Sequence, residues 1–536
     1  MKTTLFKNAK VWTGTNSTQL IDSFVVNGEK FLEVNNNLAS DKIDEVIDLQ
    51  GKFVSSSFGD GHCHPLFGGR QFFGPNITDM QSIDDILNEV KNYSLKNPDL
   101  PWIIGGTYDP ALRVDGNFDA TWLDKACNDR PVVLNAMDYH TIWVNSAALR
   151  IANINQISGN PKIGTIVRRD DGSAMGTMRE WDAVNLIMNH APKPEISREI
   201  AALKYASERY AKSGITWWQD AWVDPGMAES YLAAMEAGVL KQGVNLAFRA
   251  DPRSWQSDLN YFVEMRNKIA SSNYSNKLTA LTIKYFADGV IEGGTAALID
   301  PYSNDPCYHG MPVWEWEELT RAVEEFDRAG FQTHIHAIGD AGVRAALNAI
   351  ENAITKNQKW DRRPTIAHVQ LVHPEDFPRF KKLGVLTSFA PLWCKQDPMQ
   401  LVSSAPRIGP ERTATQYQIN SLLKEGVSVG FGSDWPVTSE VVLEGLPVAV
   451  HREMPDKTPP GGWIPNEKIS MNQAFAAYTS AVSYQGFQEN NWGKIAPGLN
   501  ANFVVLSQNP FEIDPHEVSK IKIEATYLDG EIIYQG

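Results

Sequence analysis

Gly59-Asp60-Gly61-His62-Cys63-His64-Pro65 ends a short strand-like run, and one residue separates its two histidines. In an extended strand the side chains at i and i+2 share a face, so both imidazoles of such a pair reach one cation. Four further residues of metal-binding type follow, each near the C-terminal end of its own short apolar run. They are Lys284 in Leu281-Thr-Ile-Lys-Tyr-Phe-Ala-Asp-Gly289, His336 in His334-Ile-His-Ala-Ile-Gly-Asp340, His368 in Ile366-Ala-His-Val-Gln370 and Asp434 in Gly430-Phe-Gly-Ser-Asp-Trp-Pro436. One placement recurs along most of the chain.

Strand-like runs end at His64, Asp220, Asp251 and around Lys284. They continue at Gln332 to His336, Pro364 to His368, Val385 to Phe389 and Val427 to Asp434. Helical patterns lie between several of them, most clearly over Trp314 to Ala329 and Asp340 to Lys356. Eight parallel strands with covering helices predict an α/β fold, a (β/α)8 TIM barrel, whose active site is built at the C-terminal strand ends. About 150 residues separate the first two strands. They carry the strand-like runs Trp102 to Tyr108 and Val132 to His140, and read as an inserted cap over roughly residues 75–205. Short strands mark both ends of the chain: Thr4 to Trp12, Ser23 to Val26, Phe31 to Val34 and Glu45 to Leu49, then Asn502 to Leu506, Ile521 to Leu528 and Glu531 to Tyr534, with Asp529-Gly530 as a hairpin turn. Neither set is large enough to stand alone. Residues 1–58 and 488–536 are therefore expected to form one composite β-sandwich beside a catalytic barrel of residues 59–487.

Bulk properties narrow the function classes. The chain has 536 residues, 43% hydrophobic and 21% charged, as in an ordinary globular protein. Its net charge of −15, with no basic run, argues against nucleic acid as a partner. The four cysteines, Cys63, Cys127, Cys307 and Cys394, are dispersed and form no CxxC pair, which favours a reducing compartment. Lysines occupy the N-terminus where a signal peptide needs an apolar core, and no run of eighteen apolar residues occurs. A cytoplasmic protein without membrane partners is expected, with its assembly, monomer or homo-oligomer, left open.

Strand order converts to ligand order: His-x-His on strand 1, Lys on 4, His on 5, His on 6 and Asp on 8. Two imidazoles and a carboxylate make a divalent site, Zn²⁺ being the expected ion, with a position open for water. Such an ion lowers the pKa of bound water from about 16 to about 7. Asp434 beside it is placed to take the water's proton and hand it to a leaving amine. Blander readings exist for each residue. His336 and His334 fit a core pair, Asp434 a helix N-cap and Lys284 a snorkelling side chain. Taken jointly they require repeated coincidence of residue type with strand end.

In this combination the chain resembles the amidohydrolase superfamily, and within it the amidohydrolase-3 branch that includes N-substituted formamide deformylases. The resemblance spans nearly the whole chain. It rests on the His62/His64 motif, Trp143-Val-Asn-Ser-Ala-Ala-Leu149, Lys284-Tyr-Phe-Ala-Asp-Gly289 with Gly294-Thr-Ala-Ala-Leu298, His336-Ala-Ile-Gly-Asp340, Gly432-Ser-Asp434-Trp-Pro-Val437 and Trp492-Gly-Lys-Ile-Ala-Pro-Gly498. It implies hydrolysis of a non-peptide carbon–nitrogen bond of a small amide by metal-activated hydroxide. It also implies that His62 and His64 hold the more buried ion with Asp434, and that His336 and His368 hold the other. Lys284, N-carboxylated by CO2, would bridge the two ions; left unmodified, it implies a single ion.

Within the insertion, His140 is the family-like contact for the substrate carbonyl. Asp109, Trp143 and Glu180 are further candidates for substrate contact, and Trp435 is expected to shape an aromatic pocket. Asp288 and Asp340 follow two ligands closely enough to support them. Tyr139 stands where relatives often have Gly, which bears on pocket shape, and Asn502 where they usually have Asp. A deaminase or cyclic-amide hydrolase on the same scaffold is the competing enzyme; Lys284 counts against the deaminase, which the resemblance implies would lack it. A non-catalytic metal-binding protein would have lost the strand-8 acid, and Asp434 is present.

Overall fold

The computed structural model describes every residue except 1, 15–19, 36–42, 79 and 138. Eight parallel strands form its centre: β1 (Phe58–Cys63), β2 (Ile215–Val223), β3 (Gly243–Arg249), β4 (Leu278–Phe286), β5 (Gln332–Ala337), β6 (Thr365–His368), β7 (Leu386–Phe389) and β8 (Val429–Phe431). They pair in strictly sequential order. Past β8, Asp434 N–H donates to the His62 carbonyl at 2.8 Å and His64 N–H to the Trp435 carbonyl at 2.7 Å, which closes the ring. Helices α1 (Pro65–Gln71), α2 (Ile196–Lys212) and α3 (Val442–His451) are among those that cover it. All eight strands expected from the apolar runs are present.

The strand register sets the height of each functional side chain. Phe286 lies opposite His336, and Lys284 opposite His334, so Lys284 sits one pleat below the His336 level. His368 lies opposite Ala337, beside His336. Inside the barrel the packing is polar as well as apolar. Asn245 Nδ2 donates to Gln219 Oε1 (3.1 Å) and Thr282 Oγ1 (2.8 Å), and the Thr282 hydroxyl donates to Gln332 Oε1 (2.7 Å). A buried network of this kind, with its members bonded to one another, favours a single arrangement of the strands that carry it.

The insertion holds a five-stranded mixed sheet in the order Thr165–Arg168, Ala174–Arg179, Thr141–Val144, Val132–Ala136, Ile103–Tyr108. The sequence pattern showed two of these strands. The run expected over Val132 to His140 stops at Ala136, where the chain turns and Tyr139 takes φ 57. Alternation still holds locally: Val132 and Leu134 join one apolar cluster, Val133 the other.

Both chain ends meet in two packed sheets. One contains Thr3–Lys7, Phe24–Asn27, Lys30–Val34 and Glu45–Asp48. The other contains Lys10–Val11, Phe53–Ser56, Phe503–Leu506, Ile523–Leu528 and Glu531–Gln535. Phe6, Phe24, Phe31, Phe503 and Tyr527 fill the space between them. Asp529 and Gly530 have φ 52 and 78, the paired positive values a two-residue hairpin of this kind needs. Among the described residues no helix is long and apolar enough to cross a membrane.

Candidate metal centre

All six ligand candidates converge at the strand ends. His64 Nε2 is 2.9 Å and His62 Nε2 3.6 Å from Asp434 Oδ1, and Lys284 Nζ is 3.3 Å from His62 Nε2. The His368 ring lies 4.7 Å from that of His62 and 4.6 Å from that of His336. His368, Val369 and Asp434 take φ of 72, 43 and 56. Non-glycine residues held there cost about 1–3 kcal/mol each, and such strain gathers at functional positions.

Each imidazole is aimed by a neighbour. His336 Nε2 lies 3.2 Å from the Gly289 carbonyl, which can only accept, so Nδ1 keeps the lone pair. His62 Nδ1 lies 2.7 Å from His334 Nε2, and Gln219 Nε2 is 2.8 Å from His334 Nδ1. Asp220 Oδ1 is 3.8 Å from His64 Nδ1, and Trp393 stacks on His368 at 4.9 Å. His334, paired with His336 in sequence, therefore supports a ligand from behind. Asp220 was legible only as a strand end.

Burial and charge leave these groups ready for a cation. Burial first, then the Lys284 charge or neighbouring imidazoles, drives His62, His334, His336 and His368 well below the usual histidine pKa, so they are neutral. His64 is shifted up: burial lowers it, but Asp220 and Asp434 outweigh that. Burial also lowers the Lys284 amine to about 7, against the pull of Asp434 and Asp220. Asp434 Oδ1 and His64 Nδ1 are both buried without a hydrogen bond. The Asp434 carboxylate, with His64 at 2.9 Å and the neutral His62 ring at 3.6 Å, is a donor set that a divalent ion satisfies by taking the place of the His64 proton. Asp288 is raised to about 7 by burial although Ile338, Gly339 and Ala297 donate backbone N–H groups to it; it joins the β4 and β5 loops 3.9 Å from His336. Asp340 instead accepts from Ile299 and Ala341 N–H, at its helix start.

A second convergence, His451, Glu453 and His516, has different chemistry. His516 Nε2 is 2.6 Å from Glu453 and Nδ1 2.7 Å from Asp514, and those partners raise its pKa. Both nitrogens act as donors, which leaves no lone pair for a metal.

A cavity of about 1010 Å³ opens on the centre, lined by His62, His64, His140, His336, His368 and Asp434. Lys284 lies beneath it, fully buried. Phe67, Tyr139, Trp222, Phe286, Trp393 and Trp435 supply an aromatic wall. The Tyr139 ring runs nearly parallel to that of Phe67 at 6.4 Å, and its hydroxyl is buried without a partner. Trp435 packs so closely on Gly68 that a Cβ there would lie 2.4 Å from the indole.

Three expected substrate contacts lie outside the cavity lining. Glu180 does not line the cavity; its carboxylate is 3.0 Å from His140 Nδ1, so it orients the residue that does. Asp109 accepts from the Ala111 N–H and caps a short turn. Trp143 belongs to the core of the insertion, its indole donating to the Asp119 carbonyl. Cys63 faces away from the centre, towards the Gln219 carbonyl, as its place between two ligands requires.

Comparison with known proteins finds likenesses over nearly the whole chain. The family described as "Amidohydrolase family" matches residues 45–534. Protein LONG AFTER FAR-RED 3 of Arabidopsis thaliana is 28% identical, over 99% of this chain and 91% of its own. N-substituted formamide deformylase of Arthrobacter pascens is 24% identical, over 92% of this chain and 90% of its own. The crystal structure of an uncharacterized metal-dependent hydrolase from Pyrococcus horikoshii superposes with a TM-score of 0.76, at 21% identity over 96% of this chain and 99% of that one.

Proposed function

The chain belongs to the amidohydrolase family, and from that premise we propose that it hydrolyses the C–N bond of a small non-peptide amide of the N-substituted formamide type. The observation that carries this is the convergence of His62, His64, His336 and His368 on Asp434 at the cavity wall. His62, His64 and Asp434 would hold one divalent ion, Zn²⁺ by ligand type, and His336 and His368 a second. Lys284 would link them as a carbamate, because burial lowers its amine to about 7, which leaves a substantial neutral fraction able to add CO2 with loss of a proton. Bound ions would polarise the amide carbonyl and acidify a water.

The chain's own residues do the rest. Asp434 accepts a proton from the attacking water and returns it to the departing nitrogen, so amide and water become carboxylic acid and amine. Glu180 holds the His140 ring in place at the cavity wall. The aromatic wall receives the nitrogen substituent, and a cavity of about 1010 Å³ leaves room for a group much larger than formyl. The net charge of −15 and the four unpaired cysteines support a cytoplasmic enzyme that meets a small substrate, not nucleic acid.

The test is amine release from a panel of aryl and alkyl N-substituted formamides by metal-loaded protein, before and after chelation. Turnover that chelation abolishes and Zn²⁺ restores is expected. Full activity in the chelated protein, or release of ammonia from heterocycles without amide cleavage, would overturn the reading.

A further inference from the structure

The β1 and β8 strands stand at the two ends of the paired order, so the ring closes there through the loop past β8 and not through a ladder. One buried carboxylate spans that seam. Asp60 Oδ1 accepts from Ser433 N–H at 2.9 Å and from His62 N–H at 3.3 Å. Its Oδ2 accepts the Ser433 hydroxyl at 2.5 Å and the Tyr210 hydroxyl of α2 at 3.3 Å. The Ser433 oxygen in turn accepts Trp435 N–H at 2.9 Å. The residue before Asp434 and the residue after it are thus both tied, directly or through one hydroxyl, to Asp60.

We propose that Asp60 is a positioning residue for the hydrolytic centre: it holds Asp434 in its left-handed conformation and fixes its distance from His62 and His64. Three observations argue for this. Asp60 is 1% exposed and no Lys or Arg among the described residues pairs with it, so its hydrogen bonds alone hold the buried carboxyl group in place. Three of those four bonds come from the segments that carry His62 and Asp434. The seam is also as tight as backbone allows, since a Cβ on Gly432 would lie 2.5 Å from the His62 nitrogen. A residue that braced only the fold would have no reason to bracket Asp434 from both sides.

The inference rests on the metal-centre reading, and its test separates the two. Zn²⁺ affinity is measured by competition with a chromophoric chelator for the parent, Asp60→Asn and Asp60→Ala, alongside kcat, KM and melting of the metal-free proteins. Asp60→Asn keeps the acceptor for the two backbone N–H groups but loses the Oδ2 acceptor for the Ser433 and Tyr210 hydroxyls. Its expected Zn²⁺ affinity is about 10–100-fold weaker, with kcat reduced and KM within twofold. Asp60→Ala is expected to be weaker again. If Asp60→Asn lowers only the melting temperature, while Zn²⁺ affinity and kcat stay within twofold of the parent, Asp60 is a fold brace and the proposal fails. A parent that binds no Zn²⁺ sinks this proposal together with the metal-centre reading. Should both variants misfold, Ser433→Ala removes one hydroxyl from the same bracket and is judged by the same criteria.

Discussion

At the residue scale the proposed hydrolysis makes its heaviest demand on Asp434, which would both bind a cation and carry a proton. Asp434→Asn keeps the shape and removes the base. The expected result is a fall in kcat of about 10²–10⁴ with the protein still folded, checked by steady-state kinetics beside metal analysis. Lys284→Met keeps an unbranched chain but cannot form a carbamate. Mass spectrometry of the intact metalloprotein should then show fewer ions than in the parent, and equal stoichiometry would remove Lys284 from the bridge. Trp435→Ala opens the wall beside Gly68 and should raise KM several-fold for bulky amides, leaving small ones unchanged. The ligands were legible because each ends an apolar strand. His334 and Asp220 were not, since their partners, His62 and His64, lie far away in the chain. Glu180 was read as a substrate contact because sequence shows that a carboxylate is present but not whether an imidazole stands between it and the cavity.

At the scale of elements, the barrel strands announced themselves by composition, while the insertion did not. Its strands Thr165–Arg168 and Ala174–Arg179 are short, carry Arg, Thr and Gly, and pair with each other across a turn, Ala174–Arg179 pairing also with Thr141–Val144. Such strands lack an apolar run to betray them. The end of α3 carries its own electrostatic consequence. Burial and then the His516 charge lower His451 to about 4, while in the unfolded chain it titrates near the ordinary value of about 6.5. Between those values the unfolded state binds more protons, so this group's contribution to stability is lost as pH falls from about 6.5 to 4. His451→Gln should flatten that part of the stability-versus-pH curve relative to the parent, measured by denaturant unfolding at a series of pH values. Superimposable differences across the window would contradict the assignment.

At the scale of the whole molecule, the chain ends make one double sheet and the middle makes the barrel, so the catalytic ring is closed by contacts between residues hundreds of positions apart, such as Asp60 and Ser433. Sequence gave the order of the strands through their spacing. It could not show the polar ladder inside the barrel, because Gln219, Asn245 and Thr282 look like ordinary polar residues until the strands are side by side. Ions that bind only the native ring add stability by mass action, about 2.7 kcal/mol at a hundredfold excess over Kd, so chelation should lower the melting temperature and added Zn²⁺ restore it. The most direct measurement is an anomalous difference map, collected at the zinc edge, of crystals of Zn²⁺-loaded protein. The account predicts a peak about 2.0–2.2 Å from His62, His64 and Asp434, a second beside His336 and His368, and added density on Lys284 between them. A Zn²⁺-loaded crystal with no peak at these residues would contradict it.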